Sequence, residues 1–331
     1  MIESANLVSS VGFMIIGRFG RLEMKLKVFF DDNYLAPFKT FLYSAYCNKK
    51  PETKVEIVVG LWRGNLSPES IAVIMKYAEK LKFDISFETL GTWAPILEEN
   101  IGNPDGHIPA DSAKARLEYF VTSTEDFIYI DVDILLLPGW DEIFQPQMVP
   151  RDHAVAAVPD SMTSKINNVR FPPAENKANA EAEMDFYFNC GFMIVNSQAW
   201  HESGLTEKLT QVLEEFTRGD HSFDWVDQDA LNLITVGNKK ALDRTFNAMI
   251  HPWTEEFGNT FFSPERSLQP KILHFVGAHK PWNMDNELRE YLLRIARDNY
   301  RGGFIDAIGN WYHMYFFHEN QRILWEQNWG A

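Results

Sequence analysis

Cysteine is scarce in this chain: 331 residues contain two, Cys47 and Cys190. Two cysteines exclude a disulfide scaffold and argue against a cysteine-based zinc site, so a reducing, cytoplasmic compartment is expected. Long apolar runs are missing as well. No stretch approaches the roughly 20 apolar residues of a bilayer-spanning helix, so no transmembrane segment is expected. Positive charge is short: 31 Lys and Arg against 46 Asp and Glu leave a formal net charge of −15. That balance argues against broad attraction to nucleic acid or anionic lipid, and any phosphate-bearing ligand must be held by a local device. The opening "MIESANLVSSVGFMIIGRFGRLE" lacks the charge order of a signal peptide, because Glu3 precedes its apolar patch while Arg18 and Arg21 follow it. Regular structure is expected from "MKLKVFF", with residues 1–23 an extension of unknown role.

What is present is core material. Apolar residues make up 45% and aromatics 14% of the chain, enough for a sizeable folded interior. From Lys25 onward strand-like and helix-like runs alternate. "LKVFF", "VEIVVGL", "FDISFETL" and "FIYIDVD" read as strands; "APFKTFLYSAY", "SPESIAVIMKYAEKLK" and "ADSAKARLEYFV" read as helices. Ser67 is a credible N-cap before Pro68, and Ile71, Ile74, Met75 and Ala78 follow at helical spacing. Such alternation predicts an α/β fold with a mostly parallel sheet covered by helices on both faces. "HAVAAVPD" and "YFNCGFMIVN" add strands around a long polar stretch, of the kind that usually forms a lid or binding loop. One domain is expected over residues 24–284. The remainder, 285–331, reads as an aromatic-rich helical segment that either packs on the domain or meets a membrane or partner.

In "FIYIDVDILLLPGW" an apolar run ends in Asp131-Val132-Asp133. Residues i and i+2 of a strand face the same side, so both carboxylates are expected to project from the carboxyl end of one strand. That edge is where open α/β sheets bind ligands. Two adjacent carboxylates repel unless a cation is shared between them, and oxygen ligands suit Mg²⁺ or Mn²⁺. Two solvated aspartates in a turn are the bland alternative. In "HFVGAHKPW", His274 offers an imidazole that would favour Mn²⁺, Gly277 a backbone able to approach a phosphate, and Lys280 a point charge for a diphosphate.

These pieces resemble the retaining glycosyltransferases of family 8. The resemblance runs in order through "FFDDNYLAPFKTFLYSA", Arg116 in "AKARLEYF", "YIDVDILL", "VPDSM", "YFNCGFMIVN", "DQDALN" and "HFVGAHKPW". It implies a GT-A fold, a UDP-sugar donor, a hydroxyl-bearing acceptor such as a carbohydrate, and Mn²⁺ with Mg²⁺ as an alternative. By that likeness Asp131, Asp133 and His274 are the metal ligands. Asp31, Asn33 and Tyr34 contact the uridine, while Asp131, Val132, Gly277 and Lys280 meet the rest of the nucleotide. Arg116, Asn189, Asp227 and Gln228 line the donor sugar, and Asp160 sits between sugar and acceptor. Cys190 departs from the family, which usually has Ala or Ser there, and the basic tail of some bacterial members is absent.

The implied reaction transfers galactose or glucose with retention, which needs attack on the leaving-group face or two successive inversions. The resemblance leaves this open, and because Gln228 is a poor nucleophile, same-face attack with the diphosphate oxygen as base is the favoured expectation. Read alone, Asp227 and Gln228 also suit a helix N-terminus. Two rival readings stand beside this one. A non-catalytic sugar-nucleotide binder would keep the fold without the chemistry. A haloacid-dehalogenase-type phosphatase also carries an Asp-x-Asp motif, but normally near the start of its fold.

Overall fold

The computed structural model describes residues 24–93, 110–160, 185–218, 223, 225–250, 269–277, 280–283, 290 and 304–330. The expected 1–23 extension and the 161–184 part of the polar stretch lie outside them. Seven strands form the main sheet: β1 (Lys25–Val28), β2 (Glu56–Leu61), β3 (Asp84–Thr89), β4 (Phe127–Ile130), β6 (Val155–Pro159), β7 (Phe188–Val195) and β8 (Lys239–Ala241). A second sheet of three contains β5 (Ile134–Leu136), β9 (Ala248–Met249) and β10 (Ile272–His274). The helices are α1 (Leu35–Asn48), α2 (Pro68–Leu81), α3 (Ala110–Thr122), α4 (Ser197–Glu202), α5 (Leu205–Arg218), α6 (Val226–Ile234) and α7 (Phe304–Gln327).

The main sheet runs β3-β2-β1-β4-β7-β6-β8, and all its pairings are parallel except the two made by β7. The chain steps outward from β1 to β2 and β3, then crosses back to lay β4 on the other side of β1. The carboxyl ends of β1 and β4 therefore flank a topological switch point, where the sheet opens a crevice for a ligand.

Burial explains the two layers. The alternating residues Leu26 and Val28 of β1 and Ile57 and Val59 of β2 face one core with Phe38, Phe41, Ile74 and Leu81 of α1 and α2. Phe127 and Tyr129 of β4 face the opposite core with Leu117 and Phe120 of α3 and Leu209 of α5. Ser67 caps α2 as expected, its hydroxyl accepting from Ser70 N at 3.2 Å. Met75 does not join the core. It lies on the outer face at 46% exposure, and Tyr77 and Leu81 fill the inner positions instead.

The strand expected over "FIYIDVD" is shorter than its pattern. β4 ends at Ile130, Asp131–Asp133 bends away, and the chain resumes as β5 in the other sheet. Each aspartate is tied to a different neighbour by its backbone: Asp131 N donates to Gly191 O at 2.9 Å, and Asp133 O accepts from Phe275 N at 3.0 Å. Val132 between them turns into the apolar core.

Within α7, Tyr312, Tyr315 and Phe316 pack on the small sheet, and Arg322 is buried against α1 and α2. Among the described residues no helix is long and apolar enough to cross a membrane.

Candidate active site

The bend after β4 and the end of β10 bring three chemistry-bearing groups together. Ligand atoms of Asp131, Asp133 and His274 all lie within 4.8 Å of one another. His274 Nε2 is 3.2 Å from Asp133 Oδ1 and 3.9 Å from Asp131 Oδ2. The ring's other nitrogen, Nδ1, is 2.9 Å from Asn247 Oδ1. Strand pairing sets this geometry: His274 is in register with Ile134, the residue after Asp133.

Two cations flank the acids. Lys280 Nζ donates to Asp133 Oδ2 at 2.5 Å and to Phe275 O at 2.6 Å. Arg116 of α3 bridges Asp131 at 3.2 Å and Asp227 at 2.9 Å, its guanidinium 5.2 Å from the centre of the Tyr129 ring. Tyr129 donates its hydroxyl to Asp131 Oδ1 at 2.8 Å. Burial drives Asp133 upward, but Lys280 and His274 outweigh it and hold the carboxyl well below the usual carboxylate range. Asp131 goes the other way: burial raises it, Asp133 adds to the rise, and Arg116 and His274 compensate only in part.

The donor set fits a divalent cation. Three carboxylates meet two fixed positive charges, so negative charge is left over. Among the described residues, the buried Asp133 Oδ1 has no hydrogen-bond donor. Carboxylate oxygens with one imidazole suit Mn²⁺ or Mg²⁺.

The other expected residues surround this cluster to different degrees. Asp31 caps the short turn after β1, its carboxylate accepting from Asn33 N at 3.0 Å and Asn33 Nδ2 at 3.2 Å. Tyr34 is half-buried, with its ring edge-on to Trp282 at 5.6 Å. Its hydroxyl is pushed up by burial first and then by the charges of Asp133 and Asp131, which sets Tyr34 beside the acid pair. Gly277 follows β10 with φ +77, a backbone conformation that favours glycine. Asp227 and Gln228 lie in the first turn of α6, but neither caps it: Trp225 is the capping position, and Asp227 is turned to Arg116. Gln228 Oε1 accepts from Cys190 N at 3.0 Å and Asn189 Nδ2 at 3.2 Å. Asp160, buried just past β6, bonds to the same region through its backbone, Asp160 N donating to Tyr187 O at 2.8 Å. Cys190 is fully buried and its thiol is pushed far up by burial, so it is packing and not a nucleophile.

Four residues that pattern reading passed over belong to this site. Tyr129 had a signal, since it precedes Asp131 by one strand repeat. Gly191 had one too, a glycine inside an otherwise apolar strand. Its absent side chain is required: a Cβ there would come within 2.1 Å of His274 Cε1. Asn247 and Tyr187 carry no local signal, and only tertiary contact brings them in.

A topological switch point carrying an Asp-x-Asp pair and an imidazole defines a class: α/β proteins that hold a ligand through a divalent ion at the carboxyl edge of the sheet. Comparison with known proteins narrows it. The model of "Glycosyl transferase family 8" matches residues 28–286, and the chain belongs to that family. That family is one of glycosyltransferases. General stress protein A of Bacillus subtilis is 26% identical over 274 residues, 78% of this chain and 86% of that protein. A lipopolysaccharide 1,2-glucosyltransferase of Escherichia coli is 27% identical over 168 residues, 50% of this chain and 47% of that enzyme. Among solved structures, the galactosyltransferase LgtC in complex with donor and acceptor sugar analogues superposes with a TM-score of 0.58 at 20% identity, covering 79% of this chain and 90% of that one. The fold is GT-A.

Proposed function

We propose that this protein transfers galactose or glucose from a UDP-sugar to an acceptor hydroxyl, with retention of anomeric configuration and dependence on Mn²⁺. One observation carries the reading: the neighbours Asp131 and Asp133 and the distant His274 place their ligand atoms within 4.8 Å of one another at the switch point. Those three residues would hold the ion. When bound, it supplies electrostatic stabilisation of the departing diphosphate.

The chain's own groups do the rest. Tyr34 offers an aromatic face to the base, with Asp31 and Asn33 on the same turn. The Lys280 ammonium, already within reach of Asp133, meets the diphosphate and neutralises charge that develops as the sugar leaves. The backbone at Gly277 approaches the same group without a side chain in the way. Arg116 fixes the Asp227 carboxylate, which with Asn189 and Gln228 hydrogen-bonds the sugar hydroxyls. Asp160 faces the acceptor side. Retention follows from attack on the leaving-group face, with a diphosphate oxygen taking the acceptor proton; the anomeric carbon is oxocarbenium-like on the way.

A screen of UDP-sugars for UDP release tests this. Release from UDP-galactose or UDP-glucose that needs Mn²⁺ and is lost in Asp133→Ala supports it. Full activity in that variant removes the metal assignment. A glycosyl adduct trapped on Asp160 or Asp227 removes same-face attack.

A further inference from the structure

The polar side chains behind the site form one directional chain, and its direction can be read from backbone anchors. Gly191 N–H donates to Asn189 Oδ1 at 2.9 Å. A backbone N–H can only donate, so this atom of Asn189 is its oxygen. Asn247 meets the same oxygen at 3.0 Å and must present its amide nitrogen. The Asn247 oxygen then faces His274 Nδ1 at 2.9 Å, and Nδ1 carries a proton.

A second anchor fixes the other end. Cys190 N–H donates to Gln228 Oε1 at 3.0 Å, so the Gln228 amide nitrogen is the atom 3.1 Å from the Tyr187 hydroxyl. The Tyr187 hydroxyl in turn donates a hydrogen bond to Asp229 Oδ1 at 2.5 Å, and Asp229 Oδ2 accepts from Trp225 N at 2.8 Å.

For a neutral ring this arrangement is unfavourable by itself. The bare Nε2 lone pair would point at Asp133 and Asp131, 3.2 and 3.9 Å away, where the other tautomer would donate a hydrogen bond to a carboxylate. An acceptor at Nδ1 that cannot rotate away prevents that exchange. We infer that Asn247 is a positioning residue: locked through Asn189 to the Gly191 backbone, it keeps the proton on His274 Nδ1 and leaves Nε2 to serve as a cation ligand. The same Asn189 amide sets the orientation of Gln228, so ion ligand and sugar-facing amide share one support.

The inference rests on the proposed cation site, and its test separates the two. Imidazole nitrogen shifts of ¹⁵N-labelled metal-free protein report the tautomer, with the His274 signal assigned by its loss in His274→Gln. A protonated Nδ1 is expected in the wild type; a bare Nδ1 overturns the inference whether or not the protein binds metal. In Asn247→Leu, which has no acceptor, the proton moves to Nε2 and Mn²⁺ affinity falls about 10–100-fold. Asn247→Asp keeps the acceptor but loses the donor to Asn189 Oδ1, so it retains the Nδ1 proton while Mn²⁺ affinity recovers only in part; a bare Nδ1 in folded Asn247→Asp also overturns the proposal. Folded Asn247→Leu that keeps the Nδ1 proton and wild-type Mn²⁺ affinity overturns the proposal. Should Asn247→Leu fail to fold, the wild-type tautomer decides.

Discussion

Asp133 concentrates the residue-scale physics. Its buried carboxylate is paired with the Lys280 ammonium, and removing one member of such a pair leaves an uncompensated charge. Lys280→Met is expected to destabilise the fold by about 3–5 kcal/mol, read as a lower urea midpoint at pH 7. The pH dependence has a definite sign. Because Lys280 and His274 hold Asp133 below its unfolded value against the opposing effect of burial, its stabilising contribution is present above about pH 4 and is lost as pH falls further. In Lys280→Met the folded Asp133 carboxyl moves back up, so the acid loss shrinks and the gap to wild type narrows below about pH 4; a gap that stays constant with pH would contradict the pairing. Gly191→Ala tests the other side of the site. Its Cβ would lie 2.1 Å from His274 Cε1, so the ring must move, Mn²⁺ binding should be lost and stability should fall by about 1–3 kcal/mol. The acids, imidazole and lysine were legible in sequence because charged residues at the ends of apolar runs are conspicuous. Asn247 was not, because its role exists only through contact with a ring 27 positions later.

At the scale of elements, the pattern of apolar runs located β1 to β4, β6, β7 and α1 to α3, since alternation of the two periods is a local property; the short strands β5, β8, β9 and β10 and the helices α4 to α6 were not read from it. It did not locate the break inside "FIYIDVD". Apart from the two aspartates the run stays apolar through Leu137, and the switch from one sheet to the other is decided by partners, Gly191 for Asp131 and Phe275 for Asp133. α7 is held by a similar long-range device. Arg322 donates to Thr40 Oγ1 and the Tyr77 hydroxyl, each at 3.2 Å, and pairs with Glu326, while Trp325 and Trp329 pack on Tyr77. Arg322→Ala should cost about 1–3 kcal/mol, visible as an earlier thermal transition; an unchanged transition would show α7 to be only loosely docked. Edge strand β8 carries the opposite case. Burial pulls Lys239 down to about 8 despite its pairing with Asp185. Between that value and the unfolded value near 10.4 the unfolded chain binds more protons, so stability rises with pH across this window. Lys239→Met should flatten that rise, measured as urea midpoints from pH 7 to 10.5.

For the whole molecule, a formal charge of −15 and the proposed anionic diphosphate ligand are compatible only where the local field is reversed. On the proposed function the switch point would do this with Arg116, Lys280 and a divalent ion held by Asp131, Asp133 and His274. The fold was legible at this scale because family-like segments occur in order along residues 28–286; donor and acceptor identity were not, because they depend on contacts that no linear pattern specifies. An ion that binds the native state alone must also stabilise it, by about 2.7 kcal/mol at a hundredfold excess over its dissociation constant, and chelation should reverse the gain. The most direct test is a Mn²⁺ titration followed by electron paramagnetic resonance of the free ion, with UDP present. One bound Mn²⁺ per chain, abolished in Asp133→Ala and strongly weakened in His274→Leu, is the predicted result. Stoichiometric binding that survives both substitutions would contradict the account.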